Sequence, residues 1–212
     1  MTKNLDKEGL SSIVDNYQLF YIDLWGVVHN GVILHQEAIK ALKEISKKGK
    51  EYILLTNAPR PNEVVKSFLE KMGMEKEIRE HVFTSGEASL NYLKKNLKDK
   101  KFFHVGPPRD FDLFNDFKKI KADNIDDSEY ILCTGLFDKH NNDLNYYKKL
   151  FENYLKKKMI CTNPDLIVDR GNTRELCAGS VALIFEKMGG EVIYFGKPYP
   201  EVYNLSINNS GK

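Results

Sequence analysis

Cysteine is scarce in this chain. Only Cys133, Cys161 and Cys177 occur among 212 residues, and no two form a Cys-x-x-Cys pair. An odd, scattered set argues for buried thiols in a reducing compartment and against a disulfide framework or a cysteine zinc site. Charge of one sign is scarce as well: 32 Lys and Arg against 30 Asp and Glu leave a net +2. That balance carries no polyanion signature, and the lysine clusters at 43–50, 94–101 and 155–158 read as solvated helix faces, so no nucleic-acid partner is expected. No apolar run reaches bilayer-spanning length and no signal peptide opens the chain, so no membrane partner is expected and the expected location is cytoplasmic. No Gly-x-Gly-x-x-Gly follows an apolar run, which removes the usual dinucleotide-binding signal.

What is present is enough apolar material for a core, with 42% hydrophobic and 29% charged residues. Short runs rich in β-branched and aromatic residues predict strands at 19–24, 51–55, 101–105, 129–134, 158–162 and 191–195. Helix-period stretches between them predict helices at 36–48, 61–72, 86–97, 111–120, 142–157, 180–188 and 200–208. Gly49, Gly73 and Gly189-Gly190 stand where helices should stop, and Thr84 or Ser85 offers an N-cap. Strand and helix alternating this often predict an α/β fold with parallel sheets. Six strands exceed one compact sheet of this length, and polar loops crowd the middle of the chain. The expected organisation is a core from residues 1–84 and 179–212, with a second α/β unit, 85–178, inserted into it.

Ligands of open parallel sheets collect at the carboxyl ends of the strands. Three polar groups fall there: Asp23 after "LFYI", Thr56-Asn57 after "EYILL", and Lys197 after "EVIYFG". A carboxylate can attack phosphorus, a hydroxyl can hold non-transferring oxygens, and an ammonium can offset the developing charge. Each group also has an ordinary reading as a turn, a cap or a surface lysine. Their joint position at strand ends is what favours phosphoryl transfer.

"YIDLWGVVHNG", "ILLTNAPRP", "CTNPDLIVDRGN", "CAGS" and "YFGKPYPEVY", in this order, resemble the haloacid dehalogenase superfamily of phosphatases, and most closely its class IIA branch of NagD-like and p-nitrophenyl phosphatases. The resemblance implies a Rossmann-like core with an inserted α/β cap. By position it implies Asp23 as the phosphorylated nucleophile, Thr56 as the phosphate-binding hydroxyl with Asn57 and Arg60 beside it, and Lys197 as the charge-offsetting lysine. Asn163, Pro164 and Asp165, with Gly179 and Ser180 returning to the core, match the segment that faces substrate. The implied cofactor is Mg²⁺, held by Asp23, by the backbone carbonyl of Trp25 and by acidic residues of a fourth motif. A small phosphorylated metabolite is the implied partner.

Two departures qualify the expectation. Most members carry an aspartate as general acid and base two residues after the nucleophile, where this chain has Trp25. Losing such help typically costs ~10²- to 10⁴-fold in rate; His29 is a conceivable substitute or a plain loop residue. The fourth motif is also not found after "SINNSGK", so the core is expected to be incomplete at its C-terminus, with self-association through an exposed sheet edge. The leading expectation is therefore a magnesium-dependent phosphatase of small phosphate esters, or its N-terminal part. The alternative is a catalytically impaired, phosphate-binding remnant.

Overall fold

The computed structural model describes residues 5, 8–170 and 173–210. In chain order its first elements are β1 (Leu19–Ile22), α1 (Gln36–Lys47), β2 (Glu51–Thr56), α2 (Asn62–Lys71), α3 (Lys76–Arg79), β3 (Val82–Thr84) and α4 (Ser85–Asn96). They are followed by β4 (Phe102–Val105), a 3₁₀ segment (Pro108–Ile120), β5 (Lys121–Ala122), β6 (Tyr130–Cys133), α5 (Leu144–Phe151), β7 (Lys158–Cys161), β8 (Ile167–Arg170) and β9 (Thr173–Leu176). The last are α6 (Ala178–Lys187), β10 (Val192–Tyr194) and α7 (Pro200–Ser210). The fold is α/β, as the alternation of apolar runs and helical periods predicts.

Two parallel sheets carry it. The smaller has the order β1-β2-β3, and the larger β10-β7-β6-β4-β5. β8 and β9 form a separate antiparallel hairpin. Side chains alternate across a strand, so β2 serves two apolar layers. Tyr52 and Leu54 pack with Ile39, Leu42 and Leu69 of α1 and α2, while Ile53 and Leu55 join Phe83 and Leu93 on the other face. That second layer continues into the larger sheet through Phe102, Leu132 and Ile160, with Phe195 and Val202 of the return segment. Ile131, Cys133, Met159 and Cys161 face a third layer, against Phe151 of α5 and Val181 and Phe185 of α6.

The expected division of the chain shifts at one end. β10 lies in the larger sheet, paired with β7, and α6 packs its apolar stripe on the same sheet. The return to the first unit thus follows Tyr194 rather than starting at residue 179. The expected helices at 111–120 and 142–157 also change: the first is a 3₁₀ segment kinked at Phe114, and the second stops at Phe151.

Candidate active site

Parallel pairing sets the ends of β1, β2 and β3 side by side. Ile22 stands opposite Leu54 and Thr56 opposite Thr84, so Asp23, Thr56 and the first turn of α4 share one end of the sheet. The loop after β2 is held by that turn. Ser85 Oγ and the Gly86 N–H donate to the Ala58 carbonyl at 3.1 Å each, and Thr84 Oγ1 donates to the Arg60 carbonyl at 2.5 Å. The same Thr84 hydroxyl caps α4 by accepting from the Glu87 N–H. Gly86 permits this contact, because a Cβ there would lie 2.3 Å from the Arg60 nitrogen.

Asp23 is half-buried. Its Oδ1 accepts from the Leu24 N–H at 2.8 Å and pairs with Lys197 Nζ at 2.7 Å. Its Oδ2 takes part in no hydrogen bond among the described residues. Thr56 is buried, and its Oγ1 accepts from the Ala58 N–H at 3.3 Å while its own proton goes to no described residue. A carboxylate, an ammonium beside it and a hydroxyl on the neighbouring strand are together.

Of the remaining residues singled out from the sequence, Asn57, Asn163 and Asp165 are linked to one another, whereas Arg60 turns elsewhere. Asn57 is buried and its amide is fully engaged: Oδ1 accepts from the Lys197 N–H at 2.7 Å, while Nδ2 donates to the Lys197 carbonyl at 3.1 Å and to Asp165 Oδ1 at 2.8 Å. Asn163 Oδ1 accepts the Asp165 N–H and so shapes the turn that presents this carboxylate. Desolvation lifts the Asp165 carboxyl above its ordinary range, against the Asn57 hydrogen bond and the Lys197 charge. Arg60 is turned to the buried Asp110, Nη2 to Oδ1 at 3.6 Å. Asp110 also accepts from Thr134 Oγ1, which in turn meets His104 Nε2 at 2.9 Å. Neither Asp110 nor this buried chain was singled out from the sequence; "VGPPRD" and "CTGL" after apolar runs were its only signal.

Trp25 and His29 lie beyond Asp23 in the same loop, each engaged with other groups. The indole Nε1–H donates to the Asp169 carbonyl of β8 at 3.0 Å, and the ring lies over Gly31, where a Cβ would sit 2.6 Å from it. His29 is buried edge-on to Trp25 and Phe68, and its Nδ1 accepts from the Gly31 N–H. Desolvation and then His35 push its pKa below the ordinary value, so near neutrality it is an uncharged, packed residue.

The donors that the resemblance implies for a divalent cation are the Asp23 carboxylate and the Trp25 carbonyl, and the described residues contain no cluster of three or more His, Cys, Asp or Glu side chains that could hold a metal ion. Mg²⁺ prefers six oxygens in near-octahedral array. These two donors do not by themselves make such a site.

A sequence-family profile described as haloacid dehalogenase-like hydrolase matches residues 20–118. No curated protein sequence is significantly similar to the chain. Among solved structures, a hydrolase of the haloacid dehalogenase-like family from Brucella suis 1330 is 29% identical, with a TM-score of 0.85 over 95% of this chain and 74% of its own. A p-nitrophenyl phosphatase from Archaeoglobus fulgidus (21% identity, TM-score 0.70, 92% of this chain and 74% of that one) shares the fold. So does a possible sugar phosphatase of the HAD superfamily from Cytophaga hutchinsonii ATCC 33406 (19%, 0.73, 95% and 74%). The profile runs through the Asp23 and Thr56 loops and the fold is shared along nearly the whole chain, so this protein is similar to the haloacid dehalogenase-like hydrolases.

Proposed function

We propose that the chain hydrolyses small phosphate esters through a phosphoryl group carried on Asp23. The observation that carries the reading is the 2.7 Å contact between Asp23 Oδ1 and Lys197 Nζ. It holds an ammonium where the charge of both nucleophile and phosphate would gather. Asp23 Oδ2 attacks phosphorus, the bond from phosphorus to the ester oxygen breaks, and the leaving oxygen takes its proton from water. Water then attacks the acyl phosphate at phosphorus, returning the carboxylate and releasing inorganic phosphate. Thr56 donates its hydroxyl proton to a non-transferring oxygen.

The resemblance to magnesium-dependent phosphatases calls for turnover of p-nitrophenyl phosphate to be followed across a magnesium titration. Metal-dependent hydrolysis is expected, and Asp23→Asn should reduce it by at least about 10³-fold, because an amide is nearly isosteric but does not attack phosphorus. Lys197→Ala should cost about 10²- to 10³-fold by removing the paired charge. Unimpaired turnover in Asp23→Asn would overturn the reading.

A second reading, a phosphate-binding protein without turnover, is favoured by the small set of metal donors. Binding of inorganic phosphate without hydrolysis of any ester would select it.

A further inference from the structure

Asn57 and Asp165 come from different units, 108 residues apart, yet share a 2.8 Å hydrogen bond beside the nucleophile. The Asn57 amide grips the Lys197 backbone at both polar atoms, accepting its N–H and donating to its carbonyl. An amide of this kind has two orientations, related by a half-turn. The half-turned orientation would set Asn57 Oδ1 against two acceptors, the Lys197 carbonyl and Asp165 Oδ1, and would withdraw the acceptor from the Lys197 N–H. The Asp165 carboxylate therefore helps to select the orientation that grips Lys197. From that backbone the side chain reaches Asp23.

The carboxylate is itself firmly held. The Gly179 N–H donates to the Asp165 carbonyl at 3.1 Å, and Ser180 Oγ donates to the Leu166 carbonyl at 2.7 Å, so the turn rests on the start of α6. Gly179 allows this: an added Cβ would lie 2.2 Å from the Pro164 carbonyl oxygen. On the other side Gly196, at φ +122°, lets the lysine loop close on the same turn. A Cβ there would sit 2.6 Å from Asn57 Oδ1 and 2.7 Å from Pro164 Cδ.

We propose that Asp165 is a positioning residue for Lys197, acting through Asn57, and that it thereby makes the catalytic lysine dependent on the docking of the second unit. The inference rests on the phosphoryl-transfer reading for its effect on turnover. A displacement of about 1 Å at a catalytic group costs up to about 10²-fold in rate, so a residue outside the reaction can matter this much.

Two readouts test it, one without turnover. The Lys197 amide, which donates to Asn57, should exchange with deuterium about tenfold faster in Asp165→Ala and stay within about twofold of the wild type in Asp165→Asn, whose side-chain oxygen still accepts. With p-nitrophenyl phosphate, Asp165→Ala should lower kcat by about 10- to 100-fold with KM changed less than about threefold, and Asp165→Asn should restore most of it. Unchanged Lys197 exchange in Asp165→Ala overturns the proposal. So does an Asp165→Asn protein as slow as Asp165→Ala, which would show that the carboxylate itself acts. A rise in KM at constant kcat would make Asp165 a substrate contact and overturn it equally. An inactive wild type whose Lys197 exchange still responds to Asp165→Ala would count against the phosphoryl-transfer reading alone.

Discussion

Two residues beyond Asp23, Trp25 presents an N–H already donated to Asp169 and a ring with no proton to exchange near neutral pH. His29 is uncharged and accepts at Nδ1. On the proposed mechanism the departing oxygen takes its proton from water, and rate should fall steeply as the leaving group becomes more basic. Aryl phosphates are expected to be hydrolysed at least about 10²-fold faster than alkyl phosphates. Rates measured over a series of esters of graded leaving-group pKa check this, and a flat dependence would mean that some group delivers the proton after all. The positions of Asp23, Thr56 and Lys197 at strand ends were legible from the sequence because each follows an apolar run. The partners of Asn57, Arg60 and Trp25 were not legible. Asp165, Asp110 and Asp169 reach them only through tertiary packing, and nothing near either residue in the chain encodes the pairing.

Among the elements, β4 and β6 place a histidine where protonation is unfavourable. His104 is buried, and desolvation, followed by the charge of Lys121, lowers its pKa to about 3. The folded state therefore holds it neutral at pH values where the unfolded chain, titrating at 6.5, binds a proton. Its contribution is fully present above pH 6.5 and is lost progressively as pH falls from 6.5 towards 3. Between pH 6.5 and 5 this one residue should cost about 2 kcal/mol of stability. Asp110, whose pKa is raised mainly by desolvation, acts in the opposite sense at lower pH. His104→Gln keeps a polar nitrogen near Thr134 without the charge, so its urea midpoint should fall less between pH 7 and pH 5 than that of the wild type. Equal slopes for the two proteins would assign the acid lability to other groups. The strands of this unit were legible as apolar runs bounded by polar loops. The β8–β9 hairpin was not, because its charged, half-exposed residues resemble a loop. β3 and β5 are too short for an alternating pattern to stand out.

At the scale of the whole molecule, pairing had to be seen before the chain could be divided. "EVIY" reads equally well as a strand of either sheet, and only its register with β7 assigns it. The smaller sheet carries the remaining question. β2 is buried on both faces, whereas β1 is only partly covered, with Tyr21 exposed beside Tyr203 of α7. Among the described residues β1 pairs with a strand on one side only. A parallel sheet is normally covered and its apolar central strands flanked, and an open apolar edge is a template for another strand. The 212-residue chain is therefore expected to self-associate through β1, with an average mass that falls on serial dilution. Tyr21→Lys adds a charge to that strand and should shift the distribution towards monomer. Light scattering across a dilution series of both proteins decides it: a wild type that remains monomeric at every concentration would show that α7 and the flanking loop shield this edge well enough alone.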